Sequence, residues 1–251
     1  MKNKLLIKIL GLLGYKLVNK NTFKNNRLIS HKSFLTIERA LNTIFENKKI
    51  NNLIQIGAND GIRFDTLNHY IKKYKIKSLL VEPILENFEK LKKNYENYDF
   101  VKLENSAISV KDEISYLYKV DPGKISKYSN HIPGITSFDK KHLLKHGVKK
   151  GDIIIENVSS LTIKELINKN NLLELELLFV DAEGYDGKII NDFFHTTNLR
   201  PIIILEYIHI DNKVFEELVA NLEIKKYSIF SINENLFCYP NEDINLIKFF
   251  I

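Results

Sequence analysis

Acidic residues close three of the apolar runs in this chain. Glu82 follows Leu79-Leu80-Val81, Asp181 and Glu183 follow Leu177-Leu178-Phe179-Val180, and Glu206 follows Ile202-Ile203-Ile204-Leu205. Near-continuous apolar runs of this kind are the pattern of parallel strands buried on both faces, so these carboxylates gather at one edge of a sheet. A further run, Leu53-Ile54-Gln55-Ile56, breaks into Gly57-Ala58-Asn59-Asp60-Gly61 ahead of an amphipathic stretch. A strand-to-helix turn beneath a nucleotide needs a permissive backbone with no side chain where the ligand approaches, and the following helix offers free N–H groups. Glu82, beside that turn, can accept both ribose hydroxyls. Alone, G-x-x-x-G is an ordinary tight turn; joined to the strand, the helix and the spaced acid, it describes an adenosine-type cofactor bound across strand ends.

The turn also narrows the cofactor. Dinucleotide sites carry G-x-G-x-x-G to seat a pyrophosphate against the backbone, and here the middle position is Asn59. S-adenosylmethionine has no phosphate and tolerates a polar side chain there. At this point the residues resemble the FkbM family of S-adenosylmethionine-dependent methyltransferases. Gln55 to Gly61 is similar to its glycine turn, Val81-Glu82-Pro83 to its ribose-binding strand end, and Asn105-Ser106-Ala107-Ile108 to the segment bordering the adenine. Phe179-Val180-Asp181-Ala182-Glu183-Gly184-Tyr185-Asp186 is similar to the family's Asp-x-Glu-Gly-x-acid signature, and Ile203-Ile204-Leu205-Glu206 to its fifth strand. Many members have an acid where this chain has Gln55.

The resemblance implies methyl transfer to oxygen, often a hydroxyl of a carbohydrate or glycan-like acceptor. Such an enzyme has to hold the acceptor oxygen in line with the methyl group and supply a base for its proton. Asp181 could contact the cofactor's amino group or the acceptor hydroxyl, and Glu183 or Glu206 could act as the base. Glu183 and Asp186 are also placed to cap a helix beginning near Gly184, since acids are favoured in a first helical turn. Asp181, Glu206 and His209 form a candidate magnesium set, as hard oxygen ligands suit that ion, although no spacing requires it. His142 and His146 stand four apart but lack the glutamate of H-E-x-x-H, and read as part of a solvated lid helix. Ser137, in Gly134-Ile135-Thr136-Ser137-Phe138, could face the acceptor or cofactor, or stabilise a loop turn. Two alternatives compete: a nicotinamide-dependent oxidoreductase, which the missing central glycine disfavours, and a non-catalytic Rossmann-like binding module.

Positioning these residues takes an α/β architecture. The four apolar runs alternate with amphipathic stretches at Phe64 to Tyr74, Leu85 to Tyr95, Ile163 to Ile167, Lys188 to Phe194 and Lys213 to Leu222. The expected fold is a Rossmann-like class I methyltransferase, a mostly parallel seven-stranded sheet with helices on both faces. Lys226 to Ile232 and Leu236 to Tyr239 flank Asn233-Glu234-Asn235 as a closing antiparallel hairpin. The Asp121-Pro122-Gly123 and Pro133-Gly134 breaks mark a lid or insertion over about residues 113–151. An amphipathic extension is expected over residues 1–45 and the methyltransferase domain over 46–251.

Composition excludes other classes. With 44% hydrophobic and 27% charged residues over 251 positions, the chain suits one folded domain and neither a disordered nor a fibrous one. Cys238 is its single cysteine, which rules out an intrachain disulfide or a Cys-rich zinc site and suits a reducing, cytoplasmic setting. The net charge of +6 comes almost wholly from lysine interleaved with acid, so no nucleic-acid partner is expected. Residues 1–20 are basic and apolar at once, too interrupted by Lys8 and Lys16 to span a bilayer. They suit peripheral contact with an anionic membrane face or docking on the domain itself. The oligomeric state is left open.

Overall fold

A computed structural model describes residues 36–63, 65–110, 116–129, 132–243 and 245. The amphipathic segment expected over residues 1–20 lies outside them. Strands and helices alternate from α1 (Ile37–Asn47) through β1 (Asn52–Ile56), α2 (Asn68–Tyr74), β2 (Lys77–Val81), α3 (Leu85–Tyr95), β3 (Val101–Glu104) and β4 (Ala107–Ile108). After β5 (Tyr116–Val120) come β6 (Thr136–Ser137), α4 (Lys140–Lys145), β7 (Ile153–Asn157), β8 (Ser160–Leu161) and α5 (Ile163–Lys169). The chain closes with β9 (Leu177–Val180), α6 (Asp186–Thr196), β10 (Ile202–Glu206), α7 (Asn212–Ile224), β11 (Tyr227–Ile232) and β12 (Asn235–Pro240).

Seven strands form the central sheet in the order β11-β12-β10-β9-β1-β2-β3. From β3 to β10 all neighbours run parallel, while β12 is antiparallel to both β10 and β11, so the closing hairpin forms as its alternation requires. This is the class I methyltransferase architecture.

Each apolar strand feeds two cores because successive side chains point to opposite faces. Ile54, Ile56, Leu178, Val180, Ile203 and Leu205 pack against Leu166 of α5, Phe193 of α6 and Leu218 of α7. Leu53, Leu177, Ile202 and Ile204 pack on the other face against Leu41 and Ile44 of α1, Ile71 of α2 and Leu91 of α3. Burying each such side chain is worth about 1.5–3 kcal/mol, which is what fixes strand order and register. Because Ala40, Leu41 and Ile44 are wholly buried in this core, the domain begins at α1 rather than at the expected residue 46.

Two expectations shift in detail. Helix α2 begins at Asn68, not near Phe64, because Asp60 and Asp65 hold the intervening backbone in turns: Asp60 Oδ1 accepts from Ile62 N and Arg63 N, and Asp65 Oδ1 from Leu67 N and Asn68 N. The insertion is more ordered than a long loop and runs on to Asn157. Its strands form a separate antiparallel sheet, β6-β5-β7. A small core of Val120, Ile132, Ile135, Leu143, Val148 and Ile153 supports it.

Candidate active site

Register sets the site. Ile56 pairs with Val81 of β2 and with Val180 of β9, and Val180 pairs in turn with Leu205 of β10. Gly57, Glu82, Asp181 and Glu206 therefore leave the sheet at one level, where strand order reverses between β1 and β9 and open α/β sheets take their ligands. They line a cleft of about 250 Å³ together with Gln55, Asn59, Pro83, Ser106, Ala107 and Glu183. Of the expected site residues, Gly61, Ser137 and His209 do not line it.

The glycines serve the protein's approach to itself. At Gly57 φ is +84° and a Cβ would stand 1.9 Å from the Asp181 carbonyl oxygen; at Gly61 φ is +71° and a Cβ would meet Leu91 and Tyr95 at 2.6 Å. The permissive backbone expected at this turn thus serves contacts within the protein, and Gly57 also lines the cleft. At the next helix, Asp65 takes the N–H groups of Leu67 and Asn68.

Glu82 is anchored at both oxygens: Oε2 accepts from Asn59 N and Oε1 from Ile84 N, each at 2.9 Å. The Asn87 side chain hydrogen-bonds to Glu82 as well, and the acceptor capacity that remains can serve a ribose hydroxyl. Burial pushes this carboxyl up to about 7 against those hydrogen bonds. Asp181 is open to the cleft but walled by protein, and desolvation, then the charges of Glu183 and Glu234, push it to about 7 as well. Glu206 is raised to about 9 by desolvation and by Asp181, Glu183, Asp186 and Glu234. Carboxylates that repel one another in a partly dry cleft favour a cationic occupant.

Asp186 stands in the first turn of α6 but braces the loop before it rather than capping the helix. It is wholly buried, and its oxygens accept from Ala182 N and Gly184 N at 3.1 Å, pinning the loop before α6. Glu183 does not cap; held at φ +50°, a costly conformation for a residue with a Cβ, it lines the cleft and sets Oε2 2.9 Å from His142 Nε2. Ser137 is a tether. Its hydroxyl donates to the Glu183 carbonyl at 3.0 Å and accepts from Asp139 N, tying the lid to the Asp-x-Glu-Gly loop rather than facing acceptor or cofactor. The lid reaches the cleft instead through Gly134, Thr136 and Phe138.

His142 is buried, not solvated, because α4 lays it against Glu183. Its ring stands 4.6 Å from His146 and 4.7 Å from His209, which is itself lowered from its ordinary range by burial and by those two rings. Among the described residues the group with metal-ligand spacing is His142, His146 and His209. Asp181 and Glu206 are not in it, so the expected magnesium set with His209 is not assembled. Sequence reasoning missed Asp65, Glu234 and Asn235, all lining the cleft. Glu234 read as a hairpin turn, and only the pairing of Glu206 with Asn235 brings that turn to the acidic edge.

Among known proteins, residues 55–229 match the model of the methyltransferase FkbM domain. The chain belongs to the FkbM methyltransferase family. An FkbM methyltransferase from Methylobacillus flagellatus KT is similar at 12% identity and a TM-score of 0.46, over 76% of this chain and 44% of that one. A precorrin-6y C5,15-methyltransferase from Geobacter metallireducens GS-15 is similar at 10% identity and 0.42, over 83% and 90%. The S-adenosylhomocysteine-bound methyltransferase PaMTH1 of Podospora anserina gives 10% and 0.42, over 89% of each chain. No curated protein sequence matches the chain. FkbM membership sets aside the nicotinamide alternative.

The FkbM cleft fits S-adenosylmethionine. Gln55 Oε1, Asn59 Oδ1 and Asp65 Oδ2 are buried acceptors without a protein partner, on side chains that line the cleft. The cofactor brings ammonium, ribose hydroxyl and adenine amino donors, and a buried acceptor left unpaired costs about 1–3 kcal/mol. No helix among the described residues is long and apolar enough to cross a membrane.

Proposed function

We propose that this FkbM protein methylates a hydroxyl oxygen of a carbohydrate or glycan-like acceptor. The observation that carries the reading is the row of carboxylates, Asp181, Glu183, Glu206 and Glu234, facing the cleft beneath the lid. Carboxylates accept hydrogen bonds, so they suit an acceptor rich in hydroxyl groups, and they repel a polyanion such as a nucleic acid.

When bound, the cofactor supplies an electrophilic methyl carbon. Glu82 holds the ribose end, and Gln55, Asn59 and Asp65 satisfy the donors of the rest. Asp181, with its carboxyl near 7, is tuned to take the acceptor proton. It replaces Glu183 and Glu206 as the preferred base, since Glu183 is engaged with His142 and Glu206 holds its own proton at neutral pH. Protonated Glu206 can donate to the acceptor, while Glu183 and Glu234 accept from neighbouring hydroxyls. A glycolipid acceptor would accord with membrane contact by residues 1–20.

The test is methyl transfer from labelled S-adenosylmethionine by the full chain to free sugars, glycolipids and oligonucleotides, with the product's methylated atom identified by NMR. Label on a sugar oxygen is expected. Label on nitrogen or on nucleic acid would overturn the reading, and failure to bind the cofactor by calorimetry would favour a binding module.

A further inference from the structure

We propose that His142, His146 and His209 bind a divalent transition-metal ion that staples the lid to the loop after β10. His142 lies in α4 and His146 follows at its carboxyl end, with His146 N donating to His142 O, so the spacing of four puts both rings on one helical face. His209 comes from the far side, out of the Tyr207–Ile210 turn closed by Ile210 N donating to Tyr207 O. The rings stand 4.6, 4.7 and 4.9 Å apart by centroid, and ligand nitrogens of the three lie within 4.8 Å of one another. An ion bound tetrahedrally at its usual nitrogen distance needs them about 3.4 Å apart, a contraction that small rotations of the half-buried His146 and His209 rings supply.

Two carboxylates flank the group. Glu183 Oε2 is 2.9 Å from His142 Nε2, and Glu206 Oε1 is 3.8 Å from His209 Nε2. A carboxylate hydrogen-bonded to a metal-bound imidazole, as Glu183 is to His142, orients the ring and raises its basicity. Imidazole selects zinc, cobalt, nickel or iron over magnesium. None of the three histidines lines the cleft whereas Glu183 and Glu206 do, so the ion sits behind the carboxylates and sets their position rather than touching the acceptor. The inference is independent of which acceptor is methylated.

The test is titration of the metal-stripped full chain with CoCl2, read by its visible absorption, and with ZnCl2, read by thermal unfolding. His146→Ala and His209→Ala are carried alongside, their folding checked by circular dichroism, and His195→Ala serves as a control outside the group. The expected result is one equivalent of cobalt with the intense bands of a four-coordinate site, a rise in Tm with zinc, and affinity at least ~100-fold weaker in both variants but unchanged in the control. No stoichiometric cobalt binding, equal binding in the folded variants, or a response to MgCl2 alone would overturn it.

Discussion

Gln55 Nε2 donates to Asp65 Oδ1 at 3.2 Å, and the atoms left over, Gln55 Oε1 and Asp65 Oδ2, are buried with no protein partner. Asp65, from the loop before α2, thus sets a carboxyl beside Gln55 at the cleft. Burial raises the Asp65 carboxyl. Gln55→Glu removes the amide that donates to Asp65 and sets two carboxylates together, which displaces Asp65 from its place beside the cofactor, so it is expected to lower Tm at pH 8 and weaken cofactor binding roughly 10-fold or more. Gln55→Glu combined with Asp65→Asn should recover both. A single variant that binds as well as the native chain in calorimetry would show that the pair does not hold the cofactor.

Glu82→Ala removes the acceptor for the ribose hydroxyls and also orphans Asn59 N and Ile84 N. Charge-assisted hydrogen bonds contribute about 1.5–3 kcal/mol each, so S-adenosylmethionine affinity should fall on the order of 100-fold. The same loss is expected for S-adenosylhomocysteine, which carries the same ribose. A change below about 3-fold in calorimetric Kd would move the ribose elsewhere.

Cofactor binding and stability should depend on pH in opposite directions. Glu82 and Asp181 have carboxyls raised to about 7 in the folded, cofactor-free protein, above their ordinary 4.5 and 3.8. A raised folded-state value favours folding below the ordinary value, and that contribution is lost as pH climbs through about 7. The Tm of the cofactor-free chain should therefore drop between pH 5 and pH 8. Binding of the cationic cofactor needs the ionised forms and should weaken as pH falls below about 7. Asp181→Asn should flatten part of the stability profile, raise Tm at pH 8 and abolish turnover. A Tm and a binding affinity that rise and fall together with pH would contradict this.

Gly57→Ala is expected to damage the fold rather than merely the ligand site. Its Cβ would overlap the Asp181 carbonyl at a positive φ. Strain and overlap together should cost roughly 3 kcal/mol or more, a Tm loss on the order of 6–12 °C by thermal denaturation. Unchanged Tm with weakened cofactor binding would instead support a glycine kept for the ligand.

The sequence by itself determined the sheet, its two helical layers and the acids at its edge. Apolar periodicity is local information, and Leu177 to Val180 and Leu85 to Tyr95 appear as β9 and α3 with the bounds their patterns imply. It also determined the family, because Gln55 to Gly61 and Asp181 to Asp186 carry motif types whose order along the chain is enough. Tertiary structure alone decided what those residues touch. That Gly57 faces Asp181, that Glu234 joins the acidic edge and that His209 meets His142 follow from strand register and lid packing between segments far apart in the chain. Such contacts arise when two hydrophobic faces are buried together, and no spacing within either segment encodes its partner.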